Sequence, residues 1–582
     1  MASLPDKKHV RTLAIVGAGP GGIMMGIALK HKLGLHDFVI YDKSSDFGGT
    51  WLVNSYPGSA SDTPAHFFTP STHLNPHWST TFPPQPELLA YWHDLASRYT
   101  LYSNAAFYTR VIGAQWNCET QRYDIELEDV RTGQRRRERA QFVVSATGLV
   151  SEPRYPEAIA GLGSKGESAF EGAGGCWHSA RWRHDVDFHA RRVAVIGNSA
   201  SAAQFVPCLA ADPTTQVVNF GRTTNWFVYG PRHRYPSALR WVLAHIPLAL
   251  RLFRLCVILI NYGRPIWLEY RQRFKSRGKE GREADLIAYM KRTAPEQYHE
   301  MLTPTYPLSC RRPILDAGYY ACLHNPNIEL SRKRVCAVTK TGLRLEDGTE
   351  EAFDVIILST GFVTGRSLLE LRGEDGVSLN DFWKSEGRPM AHRGVCVPGF
   401  PNFFLIAGQR RLALCGDPLT SPGPGPNTVT RNGSAILTHE VAVNYIAQLL
   451  APLIRSPSPR PLTLRVPPAA FRAFNARIAA ALAASGFAAA ACPPSWFRAD
   501  GGTGANFSTW PGSIYGFWWA MRRVRWEEYE VREEAGRAVD VRAGRRWEDA
   551  LKWALGVAVL VGAGVGWWER ARLGEEVVRI RS

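Results

Sequence analysis

Residues 11–22, RTLAIVGAGPGG, decide the fold of this chain. Leu13 to Val16 form a short apolar run, and Gly17, Gly19 and Gly22 follow it at GxGxxG spacing. After a buried strand each glycine has its own task. They give a tight turn, close approach of a pyrophosphate, and close packing of the next helix on the sheet, whose positive end meets the phosphates. A second apolar strand, Phe38 to Tyr41, ends in Asp42, 25 residues beyond Gly17, where a carboxylate can accept hydrogen bonds from ribose hydroxyls. The glycines alone would be weak evidence. With strand, helix and acid in register they predict a dinucleotide-binding α/β unit.

A weaker copy lies at 191–204, RRVAVIGNSASAAQ. The strand Val193 to Ile196 runs into Gly197, with Ser199 and Ala202 where second and third glycines would stand. Alanine still lets helix and sheet pack closely at the third place, and Ser199 crowds the pyrophosphate slightly but can donate to it. A further strand, Gln216 to Phe220, precedes Arg222, Thr223 and Thr224. A guanidinium where an NAD-selective site carries an acid can pair with a 2′-phosphate, so NADPH is expected over NADH.

At 582 residues the chain is too long for one core. Hydrophobic residues at 45% and charged residues at 21% exclude disorder as the theme. Ten cysteines without a CxxC pair argue against a disulfide framework or a zinc site, and point to an intracellular, reducing setting. No metal and no nucleic-acid partner are expected. The net charge of +17 is uneven: residues 231–312 hold 16 Lys or Arg against 6 Asp or Glu. That balance suits a phosphorylated dinucleotide, an anionic membrane face, or simply a solvated helical surface.

Between the two glycine turns lies FEGAGGCWHSARW, Phe170 to Trp182, in which Gly174, His178 and Trp182 make GxxxHxxxW. This spacing resembles flavin-dependent Baeyer–Villiger monooxygenases and, with another terminal aromatic, the related flavin-containing monooxygenases. The resemblance runs from about residue 10 to 530. It implies an α/β protein with two Rossmann-like domains, FAD in the first and NADPH in the second. DFGGTW and the loop after it would then lie along the flavin, with Gly49, Thr50, Trp51, Leu52, Val53, Asp62, Phe68 and Val111 joining Gly17, Gly19, Gly22 and Asp42 at FAD. His178, Trp182, Gly197, Asn198, Ser199, Ala200, Ser201, Ala202, Gln204, Arg222, Thr223 and Arg311 would contact NADP. The resemblance assigns catalysis to Arg312, in YPLSCRRPILDAGYY, with Asp62 beside it. Asp62 also reads as a helix cap before Thr63 and Pro64. The family's Phe two residues before the motif glycine is displaced: Gly172 stands there and Phe170 comes two residues earlier.

The activity implied is insertion of one oxygen atom from O2 beside a ketone carbonyl through a flavin peroxide, giving an ester or lactone. The alternatives are N- or S-oxygenation, or a flavin-binding protein without catalysis. CPPSWF at 492–497 and STWPGS at 508–513 resemble fungal secondary-metabolite members, so a hydrophobic polyketide or terpenoid ketone is the expected substrate. The expected domains are a flavin part at 1–150, an NADP part at 151–235, a helical insertion at 236–312, a second NADP part at 313–354, a second flavin part at 355–455, and an extension at 456–545. Residues 409–422 read as a surface insertion, or as an artefact of the gene's exon assignment, ahead of Pro426, Asn427 and Thr428. His178 and Trp182, four apart, would share a face if that segment were helical. Trp553 to Trp568, within a last segment 546–582, is uncharged with GxxxG spacing at Gly562 and Gly566. At about 24 Å it falls short of a hydrocarbon core of about 30 Å. Extended to 550–568 it reads as a membrane tail anchor, or else as a buried helix.

Overall fold

The computed structural model describes residues 10–148, 152–230, 232–259, 279–308, 313–362, 369–406, 434–456, 461–483, 510–533 and 538–539. The first sheet is built on β1 (Val10–Val16), which begins earlier than the apolar run alone suggested. After the glycine turn come α1 (Pro20–Ala28) and β2 (Phe38–Tyr41), whose four residues are all buried, as befits a parallel strand covered on both faces. The short α2 (Thr50–Val53), α3 (Gln85–Arg98) and β3 (Ala105–Ala106) lead to an antiparallel meander of β4 (Thr109–Asn117), β5 (Arg122–Asp129) and the first half of β6 (Arg135–Ser145). The apolar second half of β6 runs parallel to β1, with Val16 opposite Ser145.

The second sheet contains β7 (Gly175–His178), β8 (Arg192–Ile196) and, after α4 (Ala200–Leu209), β9 (Gln216–Phe220). Then β10 (Phe227–Tyr229) and β11 (Ile314–Asp316) pair in parallel and enclose α5 (Ser237–His245), α6 (Ala249–Leu259), α7 (Lys279–Thr293) and α8 (His299–Leu302). Past α9 (Tyr319–Cys322), the chain adds β12 (Ile328–Ser331), a small sheet of β13 (Val335–Val338), β14 (Gly342–Leu345) and β15 (Glu350–Ala352), and β16 (Val355–Leu358). The order of the second sheet is β12-β9-β8-β16-β7.

Two expectations are corrected here. The division at 354/355 is wrong, because Val355–Leu358 pairs with both β8 and β7 and belongs to the second sheet. An apolar strand looks alike in either sheet, and only its partners decide. Nor is GxxxHxxxW helical: His178 ends β7 and Trp182 follows a single 3-10 turn, so the two do not share a helix face.

The chain returns to the first sheet through β17 (Glu370–Arg372), α10 (Leu379–Ser385) and β18 (Phe403–Leu405), which pairs with the second half of β6. The closing helix is α11 (Ala435–Ile454), and the extension contributes β19 (Leu462–Arg465), α12 (Pro468–Ala483), α13 (Ile514–Met521) and β20 (Glu530–Glu533). Among the described residues no single helix is long and apolar enough to cross a membrane. The 409–422, 492–497 and 550–568 segments lie outside the described residues.

One buried charge cluster joins the extension to the first sheet. Arg393 donates from Nε and Nη2 to the two oxygens of Glu528, at 2.6 and 2.7 Å, and from Nη1 to the Ala520 carbonyl. His392 lies 2.8 Å from the same carboxylate. Burial pushes the Glu528 carboxyl up, but hydrogen bonds from His392 and Arg393 outweigh it and hold it at about 2, below the ordinary 4.5. Its stabilising contribution is therefore complete above about pH 4.5 and is lost as pH falls toward 2. Glu528→Gln leaves a buried guanidinium half-paired and is expected to cost about 3 kcal/mol. Denaturant melts as a function of pH should show lower stability and a shallower decline between those two values.

Candidate functional site

Both glycine turns are forced by a facing carbonyl. Gly17 has φ +112°, and a side chain there would sit 2.5 Å from the Ala146 carbonyl oxygen. One on Gly22 would collide with the Gly17 carbonyl, and one on Gly49 would come within 2.7 Å of the Gly19 Cα. The two loops therefore face each other without side chains between them. Gly19 caps α1 with no side-chain oxygen on the first-turn amides, which suits an incoming pyrophosphate. Asp42 accepts from the Ala18 amide at 2.7 Å and the Ser44 amide at 2.8 Å. It braces the glycine turn, and each oxygen keeps lone-pair capacity for a ribose hydroxyl. Thr50, Leu52 and Val53 are half-buried on α2, while the buried Trp51 meets Phe68 edge-on. Val111 is buried in the same cluster as Val16 and Tyr41, so its side chain serves the core.

The second turn repeats this geometry. Gly197 has φ +110° and faces the Ser359 carbonyl, which a side chain would strike. Ala202 is fully buried where helix meets sheet, whereas Ser199 and Ala200 are exposed, Ser201 is half-buried, and the Ser199 hydroxyl makes no cap bond. Asn198 donates to the Thr223 carbonyl at 3.0 Å, joining two of the expected NADP contacts to each other. Arg222 is exposed and has no ion pair among the described residues. Asn219 was not anticipated. Fully buried in β9, it donates to the Val195 and Gly197 carbonyls and accepts from the Tyr319 hydroxyl at 2.6 Å, fixing the turn. Its only signal was a polar residue inside the apolar run QVVNF.

In the seam, Gln204 departs from expectation. Its amide donates to the Ala60 carbonyl at 3.0 Å and its oxygen accepts from the Tyr56 hydroxyl at 3.2 Å. Gly58 lies so close to the Gln204 carbonyl that a side chain there would collide with it. Gln204 thus ties the loop after DFGGTW to α4, and its polar atoms face that loop. Trp182 is buried among Tyr56, Trp177, Phe188 and Phe205. His178 is buried, its Nδ1 accepts from the Ala180 amide, and burial lowers its pKa to about 4, so the ring is neutral near pH 7. The displaced Phe170 has a simple explanation: its ring covers Gly172 and occupies the space a side chain at 172 would need.

Asp62 is exposed and accepts from the Thr63 hydroxyl at 3.2 Å. No helix begins at Thr63, which removes the helix-cap reading. Arg311 and Arg312 lie outside the described residues, between Leu308 and Pro313. On the loop after Asp62, no local pattern singles out His66, which contacts the rings of Tyr235 and Phe253. Burial, aided by Arg254, lowers the His66 pKa to about 4. The buried Arg254 donates to the Thr69 carbonyl at 3.1 Å, so the helical insertion presses directly on this loop.

Two phosphate cradles, each at a glycine-bearing strand-to-helix turn and joined across one seam, mark a protein that takes two dinucleotides. A family model described as an NAD(P)-binding Rossmann-like domain matches residues 15–95. A Baeyer–Villiger monooxygenase of Streptomyces coelicolor is 33% identical, covering 92% of this chain and 95% of its own. The FAD-binding monooxygenase ktnD of Aspergillus niger is 29% identical over 96% of this chain and 90% of its own. Among solved structures, a closed cyclohexanone monooxygenase superimposes with a TM-score of 0.74 at 24% identity, covering 90% of this chain and all of the other. The chain belongs to the Baeyer–Villiger monooxygenase family, and its cofactors are FAD and NADPH.

Gly197→Ala should strain the turn against Ser359 and weaken NADPH binding about tenfold or more, while flavin stays bound. Gly22→Ala should instead yield protein without flavin absorbance. Stopped-flow reduction and the visible spectrum separate the two.

Proposed function

We propose that this enzyme oxygenates a hydrophobic ketone of the polyketide or terpenoid type, forming an ester or lactone with NADPH as reductant. The observation that carries the reading is the pair of cradles held across a buried aromatic seam, in a chain of this family. Its relatives include the FAD-binding monooxygenases ktnD and stcW, and a polycyclic ketone monooxygenase from Thermothelomyces thermophila shares the fold at a TM-score of 0.73 and 22% identity. A bound flavin, reduced by NADPH, would pass two electrons to O2, of which one oxygen atom enters the product and the other leaves as water.

The chain's own residues then have separable tasks. Gly17, Gly19, Gly22 and Gly49 give the FAD pyrophosphate a path free of side chains, and Asp42 meets the ribose while bracing the turn. Arg222, exposed beyond β9, and Arg311 are assigned to the 2′-phosphate, where a guanidinium can bond bidentately. Arg312 is assigned as the fixed cation beside the reacting oxygen. A guanidinium stays protonated, and its field is strong where water is excluded. Asp62 holds that cation in position. The neutral His178 and the buried Trp182 keep the seam dry and in register. The uncharged run at 553–568 supports attachment of the catalytic body to a membrane by its tail.

Mass spectrometry of products from a ketone panel under isotopically heavy O2 should show one labelled oxygen in an ester; labelled sulfoxides alone would sink the proposal. Arg312→Ala should reduce ester formation about a hundredfold or more while sparing sulfide oxygenation. Arg222→Ala should raise the KM for NADPH about tenfold and leave that for NADH nearly unchanged.

A further inference from the structure

The helical insertion presents a surface that carries none of the residues assigned to either cofactor. α5 and α6 are bent by 117° at the break between them. Thirteen large apolar residues are exposed on the described part of the protein, and six of these lie on this pair or in its bend: Trp241, Val242, Leu252 and Leu259 on the helices, Ile246 and Leu248 between them. Scattered exposed apolar residues need no explanation, but a cluster marks a surface that meets something apolar. Leu248, at the bend, sharpens the point. It is 63% exposed and has φ +66°, a backbone region where leucine is strained and Gly or Asn is favoured. Neither solvent nor backbone selects a leucine there.

The charge around the patch indicates what covers it. From Arg232 to Leu259 the sequence has five arginines and no Asp or Glu. Arg254 turns inward to Thr69 and Arg232 donates to the Gly58 carbonyl at 3.0 Å, whereas Arg234 and Arg251 are exposed and Arg240 is half-exposed. The inner face is anchored: Leu243 is buried, Phe253 meets His66, and Val257 and Ile258 pack with Phe67. The outer leucines are therefore held out by a rigid support. At about 1.5 Å per residue neither arm approaches the roughly 30 Å needed to span a bilayer. Leucines at the acyl boundary, a tryptophan at headgroup level and arginines toward lipid phosphates are the chemistry of a helix pair lying in an anionic interface.

We propose that α5 and α6 dock the enzyme onto an anionic lipid surface, with Leu248 and Leu252 as the inserted residues. This rests on the surface alone and does not depend on which ketone is oxidised. The test is flotation of the full-length flavoprotein with vesicles of phosphatidylcholine, alone or with about one-third phosphatidylserine. The wild type should float with the anionic vesicles, less so in high salt, and poorly with the neutral ones. Leu248→Asn combined with Leu252→Glu should weaken flotation about tenfold or more, and Arg251→Glu should weaken it on anionic vesicles only. Unchanged flavin absorbance and circular dichroism would show that each variant is folded, and Asn is the easier residue at this φ. Equal flotation of wild type and double variant would place any lipid binding elsewhere, at the tail for instance, and overturn the proposal. Absence of flotation overturns it too, as does a fall in the wild type's sedimentation mass on introducing the double substitution, since the patch would then be covered by a second copy.

Discussion

A strand-end carbonyl oxygen set against a positive-φ glycine is the constraint on which this molecule depends, and both nucleotide-binding turns share it. The Ala146 carbonyl faces Gly17, and the Ser359 carbonyl faces Gly197. In each case the strand that brings the carbonyl, β6 or β16, runs parallel to the strand that ends in the glycine, β1 or β8. The turn can bend sharply only because no side chain lies between them, and the same vacancy leaves helix amides open to phosphate. Fold and cofactor cradle are thus one arrangement of backbone.

Holding the two cradles in one orientation is a task for side chains. Gln204 spends its amide on Ala60 and Tyr56, Gly58 permits the close approach, and Trp182 fills the space with four other aromatic rings. These contacts mix hydrogen bonds with aromatic edges. Bonds of that kind can be exchanged for alternatives at modest cost, unlike the glycine–carbonyl contacts inside each sheet. The Glu528–Arg393–His392 cluster fastens the extension to the first sheet in a stricter way, since breaking it strands a charge in the interior.

The helical insertion has two faces with different duties. Its inner face places Arg254 and Phe253 against the loop that follows Asp62, while its outer face keeps leucine and tryptophan in the open. Both faces belong to the same two short helices, so the residues that anchor the insertion and those that it exposes are neighbours in sequence.

The primary structure determined the parts governed by short-range sterics: glycines at fixed spacing, apolar strands of buried length, the acid after β2 and the arginine after β9. It also revealed, through GxxxHxxxW and the paired arginines, which family these parts belong to. It did not determine that Val355–Leu358 joins the second sheet, that Gln204 is a tie between loops, that Asn219 secures the Gly197 turn, or that Phe170 covers Gly172. Val355–Leu358 and Gln204 find their partners more than a hundred residues away, Asn219 reaches back to Gly197 across a helix, and Phe170 is a matter of the side a ring happens to fall on. Only the tertiary structure decides such matters, because a hydrogen bond or a filled space belongs to two segments at once, and local pattern describes only one.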